Sequence, residues 1–143
     1  MAYKFELHPG GELRIRARKQ KQYFFGGLIL VCILYAIGSY QDPNFFGTYS
    51  TLLVLLIPLC AALGFHGAFC ESYAEAFAES SKDEISAKYR RWYYVALVVG
   101  LMLPCAASVA ALIISSQPAY MLGIVAALYF IIRNHRLFKL LDR

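Results

Sequence analysis

The sequence has little charge. Of its 143 residues only 16% are Asp, Glu, Lys or Arg, against about 25% in a soluble domain. Hydrophobic residues make up 59%, above the roughly 45–50% of soluble proteins. These figures exclude a disordered tail, which needs low hydrophobicity and high net charge. Ten glycines and five prolines are too few for a collagen repeat. Four cysteines, Cys32, Cys60, Cys70 and Cys105, form no C-x-x-C. None falls in an outer loop, where an oxidising compartment would form a structural disulfide. What is present is a set of long apolar runs separated by short polar segments. That pattern predicts an all-α integral membrane protein with the lipid bilayer as its surroundings.

Four spans are predicted, at about 23–40, 47–69, 92–115 and 119–133. About 20 helical residues cross a hydrocarbon core of about 30 Å. Tyr23-Phe24-Phe25 and Trp92-Tyr93-Tyr94 fit interfacial aromatic belts. Gln41-Asp42-Pro43-Asn44 and Ser116-Gln117-Pro118 read as turns. Pro58 falls inside span two and should kink it or loosen one turn, and Pro104 lies near the middle of span three. The fourth helix should continue past Ile132 through Lys139-Leu140 along the membrane surface. Pairs of small residues four apart predict helix packing: Gly64 with Ala68, Ala106 with Ala110, Ala107 with Ala111, and Gly123 with Ala127. The two halves resemble each other faintly, through the aromatic triplets and the turn prolines, but any pair of helical hairpins would show these features.

Residues 1–22 form a basic arm. Tyr3 to Leu7 and Glu12 to Arg18 alternate apolar and polar residues on either side of Pro9-Gly10-Gly11. Alternation flanking a turn sequence predicts a short cytosolic β-hairpin. The competing reading is a basic helical lead, from Glu12 to Gln22, into the first span. Ala36-Ile37-Gly38 has small residues at cleavage-like spacing, but the patterned segment before the apolar run is long for a signal peptide, so the span is expected to be retained.

Charge placement sets the orientation. The 14 basic residues outnumber the 9 acidic ones. Six of the basic residues lie in 1–22, four in 70–91 and four in 133–143, while the loops at 41–48 and 116–118 hold only Asp42. With four spans, all three basic segments share one side. The positive-inside rule places them, and both termini, in the cytoplasm, as in a bacterial inner membrane. The excess charge is thereby read as a topology signal and not as a nucleic-acid footprint.

Few residues offer chemistry. Glu71, Glu75 and Glu79 recur every fourth residue in the loop 70–91, which reads as a helical extension of span two, a turn and a short approach helix. The stripe shares a compartment with Arg14, Arg16 and Arg18, and is read either as neutralised by that arm or as a docking surface for a partner. His66 lies 17 residues after Tyr49, and His135 lies 15 after Tyr120. Similar depth on two helices running the same way is the arrangement of a bis-histidine haem site. His66, Cys70 and Glu71 offer too few ligands for a structural zinc site and only a weak nucleophile group. The interiors of spans one, three and four carry no ionisable side chain of the kind that marks an ion path.

These features predict no enzyme, no cofactor and no metal. The leading function is that of an accessory, assembly or regulatory subunit bound to another integral membrane protein or to a second copy. An immunity-type protein that neutralises a membrane-targeting or pore-forming toxin is the second reading. A small haem-binding or solute-handling protein, resting on His66 and His135, is the third.

Overall fold

The computed structural model describes the backbone of residues 9–79 and 82–141 and the side chains of 10–78 and 91–141. Four long helices run up and down: α1 (Pro9–Gln41), α2 (Phe45–Glu79), α3 (Lys82–Ser115) and α4 (Leu122–Leu141), the last preceded by a 3-10 turn over Pro118–Met121. Each packs against the next, α4 returns to α1, and α2 also touches α4 across the middle. All four are long and apolar enough to cross a membrane, and the protein is an integral membrane protein.

The described residues contain no strand, which corrects the hairpin. Tyr3 to Leu7 lies outside the described residues. The intended turn and second arm, Pro9 to Arg18, are the first turns of α1. A proline at the first helical position has no N–H to leave unsatisfied, and its fixed φ suits the helix. The helical lead is the reading that describes this segment, and α1 passes residue 22 without a break. Over 70–91 the expected helical extension of span two and approach helix are both present, since α2 extends to Glu79 and α3 begins at Lys82.

Helices of 33, 35 and 34 residues are each about 50 Å long, longer than the hydrocarbon core of about 30 Å. The surplus lies at the basic end. At the opposite end the chain turns tightly. The Asp42 carboxylate accepts the Asn44 amide at 2.9 Å, and the Asp42 carbonyl accepts the Phe45 amide at 3.0 Å. Ser116 turns into the left-handed region at φ 57° while its amide still donates to Leu112 O at 2.7 Å. This is the usual way to end a helix, although glycine more often fills the position.

The apolar stretches face outward. Ile29, Leu30, Ile33, Leu34 and Ile37 of α1 are each half exposed or more, as are Val98, Met102, Ile113 and Ile114 of α3. Between helices the contacts run through small residues. The Phe25 ring lies over Gly64, Leu55 and Ser108 close on Gly123, and Ala127 is fully buried. Ala68 is half-buried. Of the two alanine pairs expected on α3, Ala107 and Ala111 face inward as expected, whereas Ala106 of the Ala106/Ala110 pair is exposed. Pro58 and Pro104 sit inside α2 and α3, which continue through them.

Candidate functional site

Among the described residues, a buried apolar core lies at the basic end. Along α1, Gly10, Leu13, Ala17 and Gln20 are buried at steps of three and four, which places them on one helical face. Along α4, Ala127, Ile131, Asn134, Phe138 and Leu141 repeat the same spacing. These faces meet the end of α2, and Leu13, Ala17, Cys70, Tyr73, Ala74, Leu137, Phe138 and Leu141 form one core. Aromatic rings close its side. Phe138 stacks on Tyr73 with centroids 4.0 Å apart and on Tyr93 at 4.4 Å. The segment that alternates like a strand is therefore one wall of a helical cap, with Ile15 of the same run left outward.

Ion pairs join the rim of the cap. Glu71 Oε1 accepts from Arg18 Nε at 2.6 Å, and Glu71 Oε2 pairs with the Lys21 ammonium. Glu75 pairs with Arg14 at 3.1 Å and with Arg18 at 3.6 Å. Arg16 turns instead to Glu12 on its own helix. Four residues of the expected docking stripe and arm, Arg14, Arg18, Glu71 and Glu75, are thus joined to each other across α1 and α2. The Glu79 side chain lies outside the described residues. Burial separates the two acids: the Glu71 side chain is 6% exposed and that of Glu75 43%. An exposed pair contributes about 0–1 kcal/mol, so Glu71 is expected to contribute the larger share to the cap.

Beneath the rim lies a buried polar network that ties three helices. Gln20 of α1 is 2% exposed, His66 of α2 3% and Asn134 of α4 1%. The Gln20 amide nitrogen donates to Leu63 O at 2.9 Å and lies 3.2 Å from His66 Nδ1. The Gln20 carbonyl accepts from Asn134 Nδ2 at 2.9 Å. With the amide donating, His66 Nδ1 accepts and its proton sits on Nε2, which faces the Cys70 sulfur at 3.9 Å. Each bond satisfies a group that water does not reach.

The two histidines have different uses. His66 is held by Gln20. His135 is half-buried, stacks on Tyr93 with centroids 5.8 Å apart, and its Nδ1 shares a hydrogen bond with the Tyr93 hydroxyl. Both rings are already engaged, on separate partners, where a bis-histidine site needs them turned to a shared space. His66 and Cys70 face each other inside the bundle, but Glu71 is turned to its cations, so the three do not converge. Among the described residues, no group of three His, Cys, Asp or Glu side chains is placed to hold a metal. All four cysteines are free, with Cys32 exposed and Cys60 buried.

The sequence pattern singles out neither Gln20, Asn134 nor Gly67, and it reads Tyr93 only as part of an aromatic belt. At Gly67 the atoms that crowd the position are backbone of another helix, since a Cβ placed there would lie 2.8 Å from the Lys21 backbone nitrogen and 3.0 Å from Ala17 O. The signal for Gln20 and Asn134 is their place in the heptad-like spacing, which polar neighbours mask. The arrangement can hold three helices in one register and present charge at a membrane edge. No protein-family model matches the chain, and no curated protein or solved structure matches it.

Proposed function

We propose that the protein is a non-enzymatic accessory, assembly or regulatory subunit that binds another integral membrane protein. The observation that supports this is how the polar side chains are used. Gln20, His66, Asn134 and Glu71 join α1, α2 and α4 to one another. The result is a stiff cap standing on helices whose outer faces are apolar, a preformed shape suited to recognition. The half-exposed Arg14–Glu75 edge is available for a partner at the membrane surface, and the apolar faces for partner helices within it.

The test is purification from native membranes in a mild detergent. One integral membrane protein is expected to come through with the chain at fixed stoichiometry. Recovery of the chain alone and monomeric would overturn the reading. Recovery with a pore-forming toxin would replace it with the immunity-type role.

The basic end belongs in the cytoplasm of a bacterial inner membrane, because the positive residues gather there and are absent from the two outer turns. A cysteine placed at Gln117 is expected to react with a membrane-impermeant maleimide in intact cells. One placed at Lys139 should react only after the cells are opened. The opposite labelling pattern would reverse the orientation.

A further inference from the structure

We infer that the groove between α1 and α4 at the basic end binds the phosphate headgroup of an anionic phospholipid. The groove is open to the outside and has a volume of about 400 Å³. Glu12 and Arg16 line it from α1, and Tyr129, Ile132, Arg133, Arg136 and Leu137 line it from α4. Tyr129, Ile132, Arg133 and Arg136 stand at i, i+3, i+4 and i+7, so one strip of the helix surface is apolar toward the bilayer and cationic at its edge. Tyr129 and Ile132 are exposed, and an acyl chain lying along them delivers its phosphate to the two arginines.

The charge of the groove is unbalanced. It holds three guanidiniums and one carboxylate, and that carboxylate, Glu12, is already paired with Arg16. Elsewhere in the cap, Arg14, Arg18 and Lys21 each face an acid of α2. Arg133 and Arg136 face none among the described residues. Arg133 instead stands over the Phe130 ring at 5.0 Å and the Tyr129 ring at 5.8 Å. Its Nε is buried with no hydrogen-bond partner among the described residues. A guanidinium that faces no carboxylate is shaped to grip phosphate oxygens two at a time. Basic pockets between helices on the cytoplasmic side are where anionic headgroups bind.

The experiment is native mass spectrometry of the full, delipidated chain given equal amounts of phosphatidylglycerol and phosphatidylcholine. One phosphatidylglycerol per chain is expected, preferred about tenfold or more, given the attraction per basic residue at an anionic surface. Arg133→Gln with Arg136→Gln is expected to abolish that preference, while Lys19→Gln with Lys139→Gln, which removes two charges outside the groove, preserves it. Arg136→Gln alone, at an exposed position, should lower the preference severalfold in a chain whose circular dichroism and elution volume are unchanged. Inorganic phosphate at millimolar concentration should fail to displace the lipid. Equal retention of the two lipids would overturn the proposal. So would undiminished preference in the arginine variants, equal loss in the lysine control, or displacement by phosphate, which would mark a site for free anions.

Discussion

Gly67→Leu is expected to separate α1 from α2 and abolish the folded cap. The reason lies in what a side chain would meet. A Cβ at Gly67 stands 2.8 Å from the Lys21 nitrogen, 3.0 Å from the Ala17 oxygen and 3.3 Å from the Gln20 Cβ. Two of those atoms are backbone, so neither can move unless α1 moves with it. Overpacking in a well-packed interior costs about 1–3 kcal/mol, which is the range expected for Gly67→Ala. Leucine adds three more carbons and should exceed it. The displacement also pulls Gln20 from Leu63 and His66, and Lys21 from Glu71, so interactions tens of residues apart in sequence fail together. Unfolding by sodium dodecyl sulfate in lipid bicelles, followed by circular dichroism, measures the change. Two other glycines supply the contrast. At Gly64 the atoms nearest a Cβ all belong to the Phe25 ring, part of a side chain that can swing away. At Gly26 it meets nothing within 4 Å, and alanine there should stabilise the helix by up to about 1 kcal/mol. If Gly67→Ala unfolds at the same detergent fraction as Gly26→Ala, the close approach of α1 and α2 is not a feature of the folded protein.

The spans were legible because a bilayer imposes a length and a composition, and the gathering of basic residues at one end of the bundle was legible because it follows from counting. What escaped depended on contacts between distant segments. Leu13-Arg14-Ile15-Arg16-Ala17-Arg18 satisfies a period of two and, through Leu13, Ala17 and Gln20, a period near 3.6. Local pattern does not choose between them. The choice is made by Cys70, Tyr73 and Ala74 on α2, which complete a core only against the helical face. Gln20 and Asn134 are 114 residues apart, and each sits in a polar run that resembles a solvated surface. The spacing of small residues identified Gly123 and Ala127, but it could not tell Ala106 from Ala107, because both begin a pair four apart. Only the orientation of α3 decides which pair turns inward. The same limit applied to the charged residues, whose types were evident while their burial was not.

Burial is what distinguishes two acids of one stripe, and Glu71→Ala against Glu75→Ala tests it. Both residues are glutamates on α2, four apart, and both face basic residues of α1. Glu71 is nearly enclosed and receives a guanidinium and an ammonium, one on each carboxylate oxygen. Hydrogen bonds to charged groups contribute about 1.5–3 kcal/mol. The two cations keep partial access to water, so their loss of a partner is softened. The net cost of Glu71→Ala should fall at about 2–3 kcal/mol, with α1 and α2 loosened at the cap. Glu75 is 43% exposed and its partners are similarly open, so Glu75→Ala should cost less than about 1 kcal/mol. Salt sharpens the contrast. Raising ionic strength should shrink the Glu75 effect, because exposed pairs are screened, and leave most of the Glu71 effect in place. Detergent-induced unfolding of both variants at low and high salt reads all four values. Equal costs for the two residues, or a Glu71 effect that disappears in salt, would mean that the stripe is a solvated face and that the cap is held by its aromatic core alone. A large Glu71 cost also settles how a docking partner must be sought. Removing Glu71 would then disturb the scaffold itself, so partner release is informative only at Glu75 and Arg14, where charge can be removed while the helices stay joined.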